Sequence, residues 1–128
     1  MEDADLDRAV DLAIKGGLSL SGQACTGTSR ILVMRGVKQA FTEKLVAKVK
    51  TLKIGHGMAP GMDLGPLATR KQLETVLGYI ATGKQEATLL CGGEPLTEGD
   101  FAHGYYVAPA VFTDVTQAMR IAQEEIFG

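Results

Sequence analysis

The 128-residue chain contains no Trp, three Tyr, four Phe and two Cys. Two cysteines far apart, Cys25 and Cys91, cannot build a disulfide framework of the kind that staples small secreted domains, and they do not form a metal-ligand pattern. A reduced, cytoplasmic setting follows, with no metal centre expected. No apolar run approaches the roughly 18 residues that suggest a membrane span. The start MEDADLDRAV is acidic, where a secretory signal would be basic and then apolar. Net charge is −2, and no basic stripe exists that could neutralise phosphates, which argues against nucleic acid as a partner. What remains is an ordinary soluble composition, 45% hydrophobic and 22% charged, of a length that fits one domain.

Glycine is the residue in surplus, with sixteen, and its placement punctuates the chain. Leu6, Ala9, Val10, Ala13 and Ile14 recur at helical spacing. The spacing predicts an amphipathic helix over 5–15, capped by Asp3 or Asp5 and stopped at Gly16-Gly17. Ile31–Met34 reads as a short buried strand. Val37, Phe41, Leu45, Val49 and Leu52 mark one side of a second helix, with Lys44, Lys48 and Lys50 toward water. GHGMAPGMDLGP, residues 55–66, is too rich in Gly and Pro for regular structure. A third helix is expected over 69–82, a strand over 88–91, a polar loop over 94–104, a strand over 105–112 with Pro109 as an irregularity, and a short helix over 115–124. Helices alternating with strands predict an α/β layer architecture.

Cys25 stands apart from this pattern. Its neighbours are Gln23, Ala24 and Thr26, with Gly22 and Gly27 outside them. A structural thiol usually sits among hydrophobes. Small polar neighbours instead allow close backbone approach and exposure, as a reactive thiolate requires. Cys91, in TLLC, reads as strand packing. His56 and His103 lie in Gly-rich loops without partner spacing and read as loop residues. Tyr105 and Tyr106 read as strand packing, and Glu124 and Glu125 taken alone could be the wet end of a short helix.

Four segments together resemble the aldehyde dehydrogenase superfamily. SGQACTGTSR is similar to that family's nucleophile motif, LGYIATGKQEATLLCGGE to the segment downstream of it, and GYYVAPAVFTDVTQAMRIAQEEIFG to the stretch ending in Glu-Glu-x-Phe-Gly. MEDADLDRAV resembles the family's "DADLD-x-A" helix. The resemblance runs through the whole chain in order.

It implies a layered α/β catalytic (nucleophile) domain, incomplete, with residues 1–128 as a central fragment. The Rossmann-like cofactor-binding domain, the Glu-Leu-Gly-Gly motif with the general base and the Asn of the oxyanion hole are absent from it. It implies Cys25 as the nucleophile, forming a thiohemiacetal and then a thioester, with its backbone N–H as one oxyanion donor. Glu125 matches the carboxylate that accepts from the nicotinamide ribose hydroxyls, Phe127 the aromatic beside the nicotinamide, and Gln72 a polar residue that reaches the cofactor in some members. The cofactor is NAD or NADP, the substrate a small-molecule aldehyde, and the assembly a homo-oligomer favoured by exposed apolar surface. The isolated chain is expected to turn over little. Two other readings stand beside this one. In one, the chain is a non-catalytic interaction module that pairs with full-length dehydrogenase subunits. In the other, it is an unrelated thiol enzyme, against which stands the lack of a resolving Cys near Cys25.

Overall fold

The computed structural model describes residues 3–128; Met1 and Glu2 of the acidic start lie outside the described residues. The first element is helix α1, Leu6–Leu18. Asp5 is its cap, its carboxylate accepting from the Asp7 and Arg8 N–H groups at 3.0 and 3.1 Å. The helix does not stop at Gly16-Gly17, contrary to expectation. It runs through both, because the loop after Cys25 packs there: the Thr28 N–H donates to the Gly16 carbonyl at 2.9 Å. A Cβ at Gly16 would lie 2.7 Å from Thr28 Oγ1, and one at Gly17 2.9 Å from the Thr28 carbonyl oxygen. The glycines serve contact here, and a helix tolerates them at a cost of about 1 kcal/mol each.

Helix α2, Lys38–Val49, follows a single 3₁₀ turn over Arg35–Val37 and packs along α1. Val10, Phe41 and Val49 are buried. The lysines expected to face water do so, but two are paired: Lys44 meets Asp7 at 2.5 Å and Lys48 meets Asp11. Both pairs are exposed, so burial of the three apolar residues, about 1.5–3 kcal/mol each, outweighs them.

Helix α3, Arg70–Glu86, is capped by Thr69, whose Oγ1 accepts from the Gln72 N–H at 3.1 Å. It extends four residues beyond the expected end. Its apolar side carries Val76 and Ile80 into the main core with Leu67, and Leu73, Leu77, Tyr105, Val107, Ala110, Phe112 and Ile126 pack around them. Strand β1, Thr88–Cys91, lies where the sequence put it. The expected loop 94–104 contains strand β2, Pro95–Leu96, and a 3₁₀ turn over Gly99–His103.

The expected strand 105–112 is two strands, β3 (Tyr106–Val107) and β4 (Val111–Thr113). β1 pairs antiparallel with β4, and β2 antiparallel with β3. The break at 108–110 has a physical cause. Gly92, at φ +69°, comes so close to Pro109 that a Cβ would sit 2.0 Å from its carbonyl oxygen, and the β1–β4 register shifts between Leu89 and Cys91. The helix expected over 115–124 shrinks to α4, Arg120–Gln123, after a turn at 117–118. The 55–66 stretch is irregular, closed by a bridge between Ile54 and Leu64.

One expectation fails outright. Ile31–Met34 has no ladder partner among the described residues, and Ile31, Leu32 and Met34 are exposed rather than buried, Leu32 at 97%. An apolar run becomes a strand only where another backbone offers it hydrogen bonds.

Candidate active site

The loop between α1 and the extended run carries Cys25, and its backbone is unusual. Leu20, Ser21 and Gly22 are consecutively left-handed, at φ 55°, 57° and 75°. For two side-chain-bearing residues this costs on the order of 1–3 kcal/mol each, so the surroundings must hold the conformation. They do so through named contacts. Ser21 Oγ donates to the Gly65 carbonyl at 2.8 Å. Gln23 Oε1 accepts from the Ala68 N–H at 2.8 Å, while its Nε2 donates to the Leu20 carbonyl at 3.1 Å. The Gly27 N–H then donates to the Ala24 carbonyl at 2.9 Å and closes a turn with Cys25 at its tip. The thiol is free and exposed. Among the described residues its backbone N–H donates to no protein acceptor.

The last residues form an arm without helix or strand, tethered at almost every position. Glu124 accepts from Arg120 Nη2 at 2.9 Å and Nε at 3.2 Å, and from the Tyr79 hydroxyl at 2.7 Å. The Arg120 guanidinium lies 5.7 Å from the centre of the Tyr79 ring. The hydrogen bonds from Arg120 and then Tyr79 hold the Glu124 carboxyl below its usual range, and the same carboxylate pushes the Tyr79 hydroxyl up. Gln72 Nε2 donates to the Ile126 and Phe127 carbonyls, both at 2.8 Å. Arg30 Nη1 donates to the Ala122 carbonyl at 2.6 Å, which ties α4, just before the arm, to the segment following Cys25. Glu125 is exposed and, among the described residues, its side chain makes no hydrogen bond.

The two halves meet at a pair of glycines. A Cβ on Gly22 would lie 2.7 Å from the carbonyl carbon of Gly128 and 3.0 Å from its oxygen. Phe127, at φ 59° and 41% exposed, turns onto an open groove of about 590 Å³ that Leu20, Ser21, Gln23, Met62 and Leu64 also line. Cys25 and Glu125 do not line that groove.

The structure therefore brings the Cys25 loop and Gln72 against the arm that carries Phe127. The two amide hydrogens of Gln72 are engaged by backbone carbonyls, which leaves Oε1 as its open polar atom. Glu125 presents an exposed carboxylate and Phe127 a partly exposed aromatic ring. His56 Nδ1 accepts from the Met58 N–H at 3.2 Å within its own loop. Cys91 is half-buried, and burial pushes its thiol up. Among the described residues no group of three or more His, Cys, Asp or Glu could hold a metal ion, and no helix is long and apolar enough to cross a membrane. Sequence reasoning missed Arg30, Tyr79 and Arg120. The i, i+4 spacing of Arg120 and Glu124 was a readable signal for one of them.

An exposed thiol thus stands on a strained loop docked against the 124–128 arm. The chain belongs to the aldehyde dehydrogenase family, whose model matches residues 1–128. More particularly, it is 48% identical to alpha-ketoglutaric semialdehyde dehydrogenase of Bacillus subtilis (strain 168) over 128 residues, 99% of this chain and 26% of that protein. Among solved structures, an NAD+ complex of betaine aldehyde dehydrogenase from Staphylococcus aureus superposes with a TM-score of 0.95 at 37% identity, over 98% of this chain and 25% of that one. An NAD+ complex of aldehyde dehydrogenase from Bacillus cereus gives 0.92 at 44% identity, over 100% and 26%. The α/β fold is thus that of aldehyde dehydrogenases, and the chain spans about a quarter of the length of these relatives.

Proposed function

We propose that this chain is the nucleophile-bearing part of an NAD(P)-dependent aldehyde dehydrogenase that oxidises a small-molecule aldehyde to a carboxylic acid. The observation that carries the reading is the Gly22–Gly128 contact, which seats the Cys25 loop against the arm holding Glu125 and Phe127. Cys25 Sγ, as thiolate, adds to the carbonyl carbon, and the electron pair of the C=O bond moves to oxygen. The Cys25 N–H, uncommitted to any described protein acceptor, is one donor to that oxyanion. Glu125, through the ribose hydroxyls, and Phe127, beside the ring, would hold a nicotinamide dinucleotide, which would supply a hydride acceptor, with Gln72 bonded to the arm that carries them. With that acceptor bound, the thiohemiacetal carbon would pass hydride to it as the oxyanion re-forms the C=O bond, leaving an acyl thioester on Cys25. Water then releases the acid and restores the thiolate.

In this reading the 128 residues alone turn over little. A missing general base costs about 10²–10⁴-fold and a missing oxyanion donor about 10²–10³-fold. The enzyme is read as cytoplasmic and homo-oligomeric. The exposed Ile31–Met34 run supports association with further polypeptide, and with it the second reading of an interaction module that pairs with complete dehydrogenase subunits.

The test is aldehyde-dependent formation of reduced nicotinamide by the longest polypeptide that carries this chain. Turnover is expected with one of the two dinucleotides and lost in Cys25→Ala. A Cys25→Ala variant as active as the parent overturns the assignment.

A further inference from the structure

The arm after Gln123 contains no helix or strand. Even so, Phe127 is held left-handed at φ 59°, a conformation that a bulky residue keeps only when its neighbours impose it. The restraint comes from α3. Gln72 lies in the capped first turn of that helix, its own N–H bonded to Thr69 Oγ1, so its backbone is fixed. One side-chain nitrogen with two hydrogens meets two consecutive carbonyls, Ile126 and Phe127, each at 2.8 Å. Gly128 then packs so tightly beneath that a Cβ there would lie 2.4 Å from Val76 Cγ2 and 3.2 Å from Leu67 Cδ2. On the other side of Glu125, Glu124 is held by Arg120 and Tyr79. Glu125 is thus an exposed carboxylate between two anchored neighbours, its side chain making no hydrogen bond among the described residues.

We propose that Gln72 is a positioning residue, whose amide donors clamp the 126–127 backbone and so aim Glu125 and Phe127, and that it contributes through this clamp rather than by touching the dinucleotide. The proposal rests on the aldehyde dehydrogenase reading for its effect on activity, but the clamp itself is a property of this chain. It assigns the work to the N–H groups, which two substitutions separate from the oxygen. Gln72→Glu keeps an acceptor oxygen of the same reach, loses both donors at neutral pH and sets a carboxylate against two carbonyls. Gln72→Lys supplies donors and has no acceptor.

Both variants are made in the longest polypeptide that carries this chain. Two readouts are taken: the KM for dinucleotide, and the rate at which a glutamate-specific protease cuts the Glu125–Ile126 bond under native conditions. For Gln72→Glu the dinucleotide KM is expected to rise about tenfold, with the aldehyde KM unchanged and cleavage about tenfold faster, the scale of one lost hydrogen-bonding group. Gln72→Lys is expected to restore most of both. If Gln72→Glu matches the parent in cleavage, or if Gln72→Lys is the worse of the two, the clamp is refuted and a contact through Oε1 takes its place. If the parent itself shows no dependence on a dinucleotide, the dehydrogenase reading fails and the cleavage rates decide the clamp alone. Far-ultraviolet circular dichroism shows that each variant is folded; should Gln72→Glu not fold, the comparison is made with Gln72→Met, which also lacks the donors.

Discussion

Replacing Gly22 by alanine adds one methyl group at the point where the thiol loop meets the arm. Two effects combine there. The backbone at Gly22 is left-handed, φ 75°, and an L-residue held so costs about 1–2 kcal/mol. The new Cβ would also stand 2.7, 3.0 and 3.1 Å from the carbonyl carbon, oxygen and Cα of Gly128. Those atoms are main chain and cannot rotate aside, and the arm is pinned behind them by Gln72 and by the contact of Gly128 with Val76. Overpacking of this sort costs roughly 1–3 kcal/mol, so the total is about 2–5 kcal/mol. Against a domain stability of about 5–15 kcal/mol that is a large fraction. The assay is urea unfolding of Gly22→Ala beside Gly57→Ala, a position where an added Cβ meets nothing within 4 Å. Gly57→Ala is expected within about 0.5 kcal/mol of the parent. If Gly22→Ala is equally silent, the two segments do not touch as described, and the site built on their contact loses its basis.

Two further outcomes follow from charge and exposure. Because Arg120 and then Tyr79 depress the Glu124 carboxyl, its contribution to stability is present above the ordinary carboxyl range and is lost as pH falls through the lowered value in the folded state. Glu124→Gln should therefore melt lower than the parent near neutral pH, with the difference closing below about pH 4. Differential scanning calorimetry across that range checks it, and a gap that persists in acid contradicts it. Cys25 is exposed, whereas Cys91 is half-buried with its thiol pushed up by burial. Iodoacetamide near neutral pH should label Cys25 well before Cys91, as peptide mass spectrometry would show, and Cys91 should catch up only as the pH rises. Equal labelling at the outset would contradict this exposure difference.

Local signals in the sequence were dependable where a segment satisfies itself. Asp5 caps the helix it precedes, and TLLC forms a strand where it stands. Reading failed where a distant backbone decides. Gly16-Gly17 looked like a stop but is a landing surface for Thr28, and Ile31–Met34 looked like a buried strand but has no ladder partner among the described residues. The stretch 105–112 is split by the approach of Gly92 to Pro109, residues seventeen positions apart and invisible to any local window. The site shows the same division. Cys25, Glu125 and Phe127 lie in motifs that can be read along the chain. The grip of Gln72 on the arm and the reach of Arg30 to Ala122 span 55 and 92 residues, and only folding reveals them.

The left-handed run at Leu20, Ser21 and Gly22 has a consequence for anyone hoping to borrow this thiol. Cut free as a synthetic decapeptide, the segment would lose the anchors at Gly65 and Ala68 and relax toward extended conformers, carrying its sulfur to no particular place. Grafting it onto another scaffold therefore means transplanting the receiving residues as well. The thiol is portable only together with its cradle.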